Sequence, residues 1–341
     1  MEFKAHHSFP VADRSYLSLT RREIQKLAES YGFNENKQGK IDIIISELSS
    51  NLVKHTAHGG ELLVKPVGKD SITGIEIISI NNGPGMLDVP RMMEDGVSTV
   101  GSQGEGLGAI KRLSDEFDIY SQYEHGTVVL SRVYISEKDR KKSALSTSLD
   151  IRAVMVAKSG ETDCGDAWGM LPFKDGCLVI AADGLGHGPA AHEASTQAVL
   201  IFNEKPSADP ANTLRTIHQE IKRTRGAVGA IAFIDTKNDN ISFCGIGNIA
   251  GKVLSYETSK SLISYNGILG HNIPNTFHNH NFTWSDAALL ILHSDGLKSR
   301  WDLSKYPYLK QHDPSIIAAV LYKEHTRKTD DILVIVGKHK K

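Results

Sequence analysis

The stretch Cys177-Leu-Val-Ile-Ala-Ala182, followed at once by Asp183-Gly-Leu-Gly-His-Gly188, restricts the fold of this chain more than any other. An apolar run bounded by a turn reads as a buried strand. Glycines at 184, 186 and 188 then make a turn in which backbone can approach a ligand that side chains would block. Residues 192–201 beyond it read as a helix. A buried strand thus delivers Asp183 into a glycine-rich turn ahead of a helix. Asp-Gly is also an ordinary turn dipeptide, so the other acidic positions decide what Asp183 is for.

Asp166 closes Gly160-Glu-Thr-Asp-Cys-Gly-Asp166, and Asp295 follows the apolar Leu289-Leu-Ile-Leu-His-Ser294. Asp330-Asp331 precedes Ile332-Leu-Val-Ile-Val336. In the last two, a carboxylate sits at one end of a strand-like run, and such carboxylates can converge on one sheet edge. Converging carboxylates repel one another unless a hard cation such as Mg2+ or Mn2+ joins them. Two ions roughly 3.5–4 Å apart can activate a water and steady a phosphoryl group.

Gly165-Asp166, Asp183-Gly-Leu-Gly-His-Gly188, Ser294-Asp-Gly-Leu297 and Asp330-Asp331, in that order, resemble the SpoIIE-type serine/threonine phosphatases of the metal-dependent PPM superfamily. The resemblance covers about residues 148–341 and implies an αββα sandwich holding two Mn2+ or Mg2+ ions. It implies that Asp183 bridges the ions, that the Gly184 carbonyl is a further ligand, and that Asp166, Asp295 and Asp330 complete the set. Asp331 is the alternative to Asp330, because the pair leaves the register open. Asp183 and Asp295 are the expected catalytic carboxylates, and His187 could donate a proton to a leaving serine oxygen, although turn packing also explains it.

The amino-terminal half has its own pattern. Residues 14–31 read as a helix, with Gly32 as a stop. In residues 41–55, Ile41, Ile44, Ile45, Leu48 and Leu52 make a buried stripe. Glu47 and Asn51 lie one turn apart on the adjacent face, where they could orient a hydroxyl and hold Mg2+. Strand-like residues 61–65 and 74–80 follow, then the turn Asn81-Asn-Gly83-Pro-Gly85. A short helix is expected at 89–95. The loop Gly101-Ser-Gln-Gly104-Glu-Gly106-Leu107-Gly108 then enters a helix at 109–114, an arrangement that presents free amides to phosphates. It matches neither the dinucleotide fingerprint nor the Walker A pattern.

These three pieces, with Gly126-Thr127 beyond, resemble the N, G1 and G2 boxes of the GHKL ATP-binding fold, specifically its RsbT-like and SpoIIAB-like serine kinases. The resemblance covers about residues 5–135. It implies a mixed sheet with helices on one face, ATP as cofactor, Asn51 on Mg2+ and Glu47 as the base for an attacking hydroxyl. Gly104, Gly106, Leu107 and Gly108 would surround the phosphates, Asn81, Gly83 and Gly85 would form the base-side turn, and Thr127 would lie near the adenine end. The family's G1 box normally begins with Asp, and this chain has Asn81. A neutral acceptor gives up the charge-assisted part of the adenine hydrogen bond, so weaker or altered nucleotide binding is expected.

The 341 residues therefore divide into a kinase-like domain at 1–135, a polar linker at 136–147 and a phosphatase-like domain at 148–341. Lys and Arg number 39 against 40 Asp and Glu, so nothing in the balance suggests nucleic acid. No apolar run reaches the roughly 20 residues that span a bilayer, and the amino terminus lacks a signal-peptide core. Three cysteines without metal-ligand spacing fit a reduced, cytoplasmic protein. Cys164, beside the metal loop, is expected to be a neutral thiol, and His278 and His280 are not expected to bind metal.

Joined, the two resemblances imply a partner-switching enzyme. It would phosphorylate and dephosphorylate a serine or threonine on a STAS-domain protein akin to anti-sigma-factor antagonists. The alternative is a phosphatase whose first domain is a nucleotide- or protein-binding regulator, an anti-sigma module among the options. A sigma factor as partner and a homodimer are both open on the first-domain resemblance.

Overall fold

The computed structural model describes residues 4–68, 71–94, 106–145, 148–255, 258–285 and 288–340. They form two compact units. The amino-terminal unit comprises His6–Ala144 together with Leu303–Lys323; the carboxy-terminal unit comprises Met1–Ala5, Leu145–Asp302 and Glu324–Lys341. These units differ from the division expected from sequence mainly in the placement of residues 303–323.

In the amino-terminal unit, β1 (His7–Val11), β2 (Gly60–Val67), β3 (Gly74–Asn81), β4 (Glu116–Gln122) and β5 (Gly126–Tyr134) form one sheet in the order β1-β2-β3-β5-β4. Among the described residues every neighbouring pair is antiparallel, where a mixed sheet was expected. The reason is connectivity. Between β3 and β5 the chain passes through two helices and β4, and β4 returns to β5 through the tight turn at 123–125, which reverses the direction a single helical crossover would keep.

Helices α1 (Ser15–Ser30), α2 (Glu35–His55) and α4 (Gly106–Leu113) share a core with one sheet face, through Ile24, Ile41, Ile44, Ile45, Leu48, Ile110 and the alternate residues Leu62, Val64, Ile75, Ile77, Val129 and Val133. Helix α2 begins six residues before the predicted segment, because Asn34 caps it by accepting from the Lys37 N–H. Helix α3 (Val89–Met92) is short and capped by Asp88.

The other sheet face carries Glu61, Glu76 and Arg132, and residues 303–323 lie over it, so helices cover both faces rather than one. This segment contains most of α8 (Pro314–His325), in which Pro314 to Tyr322 are all buried. Arg132, 1 % exposed, donates from both terminal nitrogens to Asp313 at 2.7 and 2.9 Å, and to Glu76 at 2.6 Å and Ser315 at 2.8 Å. Ser315 also donates to Glu76, and the Tyr322 hydroxyl donates to Glu61 at 3.0 Å. A buried guanidinium is tolerated only when paired and hydrogen-bonded in this way. The expected linker is partly helical: α5 (Glu137–Leu145) has Glu137 and Asp139 in its first turn, where they complement the dipole.

The carboxy-terminal unit is built on two five-stranded antiparallel sheets. One has the order β13-β10-β9-β8-β7, from β7 (Asp166–Phe173), β8 (Gly176–Gly184), β9 (Ala227–Asp235), β10 (Asn240–Ile246) and β13 (His280–Thr283). The other has the order β12-β11-β14-β15-β6, from β6 (Leu149–Val156), β11 (Ala250–Leu254), β12 (Ser259–Leu262), β14 (Leu289–His293) and β15 (Ile332–His339). Their inner faces meet through Val179, Ala181, Ala230, Ala232, Leu290, Leu292, Leu333 and Ile335. Helices α6 (Pro189–Glu204) and α7 (Pro210–Glu220) cover the outer face of the first sheet, through Ala198, Phe202, Leu214 and Ile217. The strands at β7, β12 and β13 carry polar or small residues that interrupt an apolar pattern.

Candidate functional sites

Sheet topology gathers the acidic residues of the carboxy-terminal unit. Asp166 opens β7 directly opposite Asp183 near the end of β8. Because β14 and β15 are antiparallel, the end of one and the start of the other lie at the same edge, which brings Asp295 beside Asp330 and Asp331. Ser294 ties the edge together: its hydroxyl donates to Asp166 at 2.7 Å and accepts from the Leu333 N–H at 2.9 Å. A cavity of about 380 Å3 is lined by Asp183, Asp295 and Asp330, with Gly186, Asn248 and Asn266 among its other walls. Asp331 turns away from it, accepting from the Lys158 N–H at 2.8 Å and lying 4 % exposed. Of the two candidates at 330 and 331, Asp330 therefore faces the cavity.

The turn after β8 requires its glycines. A Cβ at Gly184 would stand 1.9 Å from the Ala191 carbonyl oxygen, and Gly186 has φ +88°. His187 donates from Nδ1 to Glu161 at 2.7 Å, and its side chain is half-exposed. Asn248, which sequence reasoning did not single out, donates to Asp295 at 2.8 Å. Only the Gly-Asn pair directly after β10 could have hinted at it.

Electrostatics mark this edge as incomplete without a cation. Burial first, then Asp295, Asp330 and Asp331, push Asp183 up to about 8. Burial and Asp183 raise Asp166 well above the usual carboxylate range, and burial and Asp330 raise Asp295. Asp166 Oδ1 and Asp331 Oδ2 are buried without hydrogen-bond partners, which is costly for a carboxylate. Among the described residues, no three His, Cys, Asp or Glu side chains are arranged to hold an ion directly. Oxygen donors in this number nevertheless suit Mg2+ or Mn2+, because Mg2+ keeps several waters and takes only one or two carboxylates. Cys164 is buried, and burial followed by Asp166 and Asp331 drives its thiol well upward, away from the reactive thiolate. His280 stacks on Tyr265.

In the amino-terminal unit, the stripe of α2 fixes Glu47 and Asn51 toward the start of α4. A Cβ on Gly106 would lie 2.9 Å from Glu47 Oε2 and 3.7 Å from Asn51 Oδ1, so both side chains reach the first residue of α4. Leu107 is half-buried and Gly108 buried, whereas Gly104 lies outside the described residues. Asn81 pairs directly with Thr127 across β3 and β5, and the Thr127 hydroxyl bonds Ser121 at 2.7 Å. Asn81 Oδ1 accepts from the Gly83 N–H at 2.9 Å, which fixes the amide so that its NH2 is the remaining polar end. Gly85, at φ +71°, passes so close to the Gln122 carbonyl that a Cβ would stand 2.1 Å from its oxygen. One end of the sheet, the turn after β3 and the α2–α4 contact therefore carry the expected residues.

Comparison with known proteins agrees with both halves. Residues 10–132 match the histidine kinase-like ATPase domain family, and residues 174–339 match the stage II sporulation protein E family. The serine/threonine-protein kinase RsbT of Bacillus subtilis is 37% identical over 105 residues, 31% of this chain and 78% of RsbT. The phosphoserine phosphatase RsbX of the same organism is 26% identical over 185 residues, 53% of this chain and 89% of RsbX. A crystal structure of RsbX in complex with magnesium superposes with a TM-score of 0.50 at 26% identity, covering 56% of this chain and 96% of that one. The chain belongs to the RsbT-type family of histidine kinase-like ATPase domains in its amino-terminal part, and carries a SpoIIE-type serine phosphatase domain of the PPM superfamily in its carboxy-terminal part.

Proposed function

We propose that this chain is a bifunctional switch enzyme, phosphorylating a serine or threonine of a STAS-domain protein with ATP in its first domain and removing that phosphate in its second. The observation that carries the phosphatase half is the meeting of Asp183, Asp295 and Asp330 at one cavity, with unpartnered carboxylate oxygens on Asp166 and Asp331 beside it. Asp166, Asp183, the Gly184 carbonyl, Asp295 and Asp330 would hold two divalent ions, Mn2+ or Mg2+, with Asp331 buttressing the loop behind them. Bound there, the ions supply an activated water and offset the phosphoryl charge. Asp183 stands opposite Asp166 across β8 and β7, Asn248 orients the Asp295 carboxylate, and His187, held by Glu161, donates a proton toward the leaving serine oxygen.

For the first domain, Glu47 would accept the proton of the attacking hydroxyl and Asn51 would hold Mg2+, which would supply charge compensation for the ATP phosphates. The contact of both with Gly106 supports this reading. A second reading, in which this domain binds nucleotide or a protein partner and regulates the phosphatase, is favoured by one specific observation: the Asn81 oxygen is already engaged by Gly83.

The test follows phosphate on a candidate STAS protein incubated with the purified chain. ATP with Mg2+ is used in one arm and the prephosphorylated protein with Mn2+ in the other, beside Glu47→Ala and Asp183→Ala. Gain of phosphate abolished by Glu47→Ala, with nucleotide binding retained, and loss abolished by Asp183→Ala establish both activities. Loss without gain leaves the first domain as a regulator.

A further inference from the structure

We propose that Arg225 is the residue that receives the phosphoryl group of the substrate at the acidic cavity of the second domain. This deepens the phosphatase reading above and rests on it. A cavity walled by Asp183, Asp295 and Asp330 must admit a phosphoserine dianion. Divalent ions offset the carboxylates, but an incoming dianion still gains from a cation beside the cavity wall.

Arg225 is that cation. Its guanidinium lies against Gly186, a wall of the cavity: a Cβ built on Gly186 would stand 3.1 Å from Nη2 and 3.3 Å from both Cζ and Nη1. The forked end, not the aliphatic stem, therefore reaches the metal loop. The side chain is exposed, and no ion pair or side-chain hydrogen bond engages it among the described residues. Its backbone, in contrast, is held firmly. The Arg225 carbonyl accepts from His271 Nε2 at 2.9 Å, and the Gly226 carbonyl accepts from the Leu185 N–H at 3.1 Å, which fastens this turn to the turn bearing Asp183. No side chain fits at Gly226, where a Cβ would lie 2.4 Å from the His271 ring.

A positioned backbone carrying an unpaired guanidinium is the arrangement expected of a ligand-binding arginine. Its charge persists at every physiological pH, and its fork matches two phosphate oxygens. The other charged side chains near the loop do not fill this role. Glu161 has the wrong sign and holds His187, while Arg327 lies on the Asp295 side, where it lowers that carboxyl.

The experiment compares the Mn2+-loaded full chain with Arg225→Ala and Arg225→Lys, using p-nitrophenyl phosphate and a phosphoserine peptide, with inorganic phosphate as product inhibitor. Calorimetric titration with phosphate accompanies the kinetics, and Asp183→Ala serves as the blank for phosphate bound at the nucleotide site. Loss of a charge-assisted contact should raise KM and the phosphate inhibition constant together by about 10- to 100-fold, with kcat within about threefold and Arg225→Lys intermediate. Constants within twofold of wild type, or a fall in kcat at unchanged KM, overturn the proposal. A wild-type chain that hydrolyses neither substrate refutes the phosphatase reading instead. Calorimetry then decides Arg225 separately: phosphate binding above the blank that Arg225→Ala abolishes upholds it, and binding that is absent or unchanged overturns it.

Discussion

With divalent ions removed, Asp183→Asn should stabilise the carboxy-terminal unit at neutral and mildly alkaline pH. Asp183 has an ordinary value of 3.8 and is pushed up to about 8 in the fold by burial and its acidic neighbours. Between those values the folded chain retains a proton that the unfolded chain has released. The associated stability is complete below about pH 4 and is lost as the pH rises to about 8. A rise of about 4 units at ~1.36 kcal/mol each sets a ceiling of about 5 kcal/mol. Asp166 and Asp295 share the same repulsion, so the part removed by a neutral amide is about 2–3 kcal/mol. For a unit of this size that is a Tm increase of roughly 5–10 °C at pH 8, shrinking toward pH 4. Scanning calorimetry in chelator at pH 4.5, 6 and 8 measures it, with the relevant transition identified as the one that Mn2+ shifts in the wild type. Mn2+ at about 100 times its Kd should add about 2.7 kcal/mol to the wild type and less to the variant. A variant no more stable than wild type at pH 8, or a difference that does not fall with pH, refutes the reasoning.

Arg132→Met should destabilise the amino-terminal unit by about 3–5 kcal/mol in urea unfolding, because Glu76 and Asp313 lose the guanidinium that compensates them. Burial alone would raise Glu76, and Lys65 and Arg132 reverse this, so adding Glu76→Gln to the variant should recover part of the loss. Gly184→Ala should abolish phosphatase activity and lower the Tm of its unit, since the new methyl collides with the Ala191 carbonyl. Asn81→Asp should tighten ATP binding by about 5- to 10-fold in equilibrium dialysis, because a carboxylate can hold the Gly83 N–H with one oxygen and offer the other to the base. Unchanged ATP affinity would remove position 81 from the nucleotide site.

Much of both sites is legible in sequence because strands and glycine turns are local devices. An apolar run ending in Asp-Gly predicts where Asp183 and Asp295 lie along the chain, and the stripe of α2 predicts the face that carries Glu47 and Asn51. Asn248 and Arg225 were not legible in the same way. Each is an ordinary polar residue after or before a strand, and its importance lies in what the turn beside it touches. The direction of β5 was equally hidden, since it depends on β4, whose apolar alternation of Phe117 and Ile119 stops at Ser121 while Tyr120 joins Asp118 on the other face.

The sequence by itself determined the two ordered motif sets, the strands that end in carboxylates, and the glycines that only a crowded turn requires. These follow from periodicity and from steric demands within a few residues. Only the tertiary structure decided which of Asp330 and Asp331 faces the cavity, because adjacent residues at a strand's start point to opposite sides. Only it, too, assigned residues 303–323. Their apolar helix reads as part of the carboxy-terminal domain, yet Asp313, Ser315 and Tyr322 satisfy Arg132, Glu76 and Glu61 in the amino-terminal unit. Those partners stand some 180 to 260 residues away, and the buried charge of Arg132 selects them by geometry that no local pattern encodes.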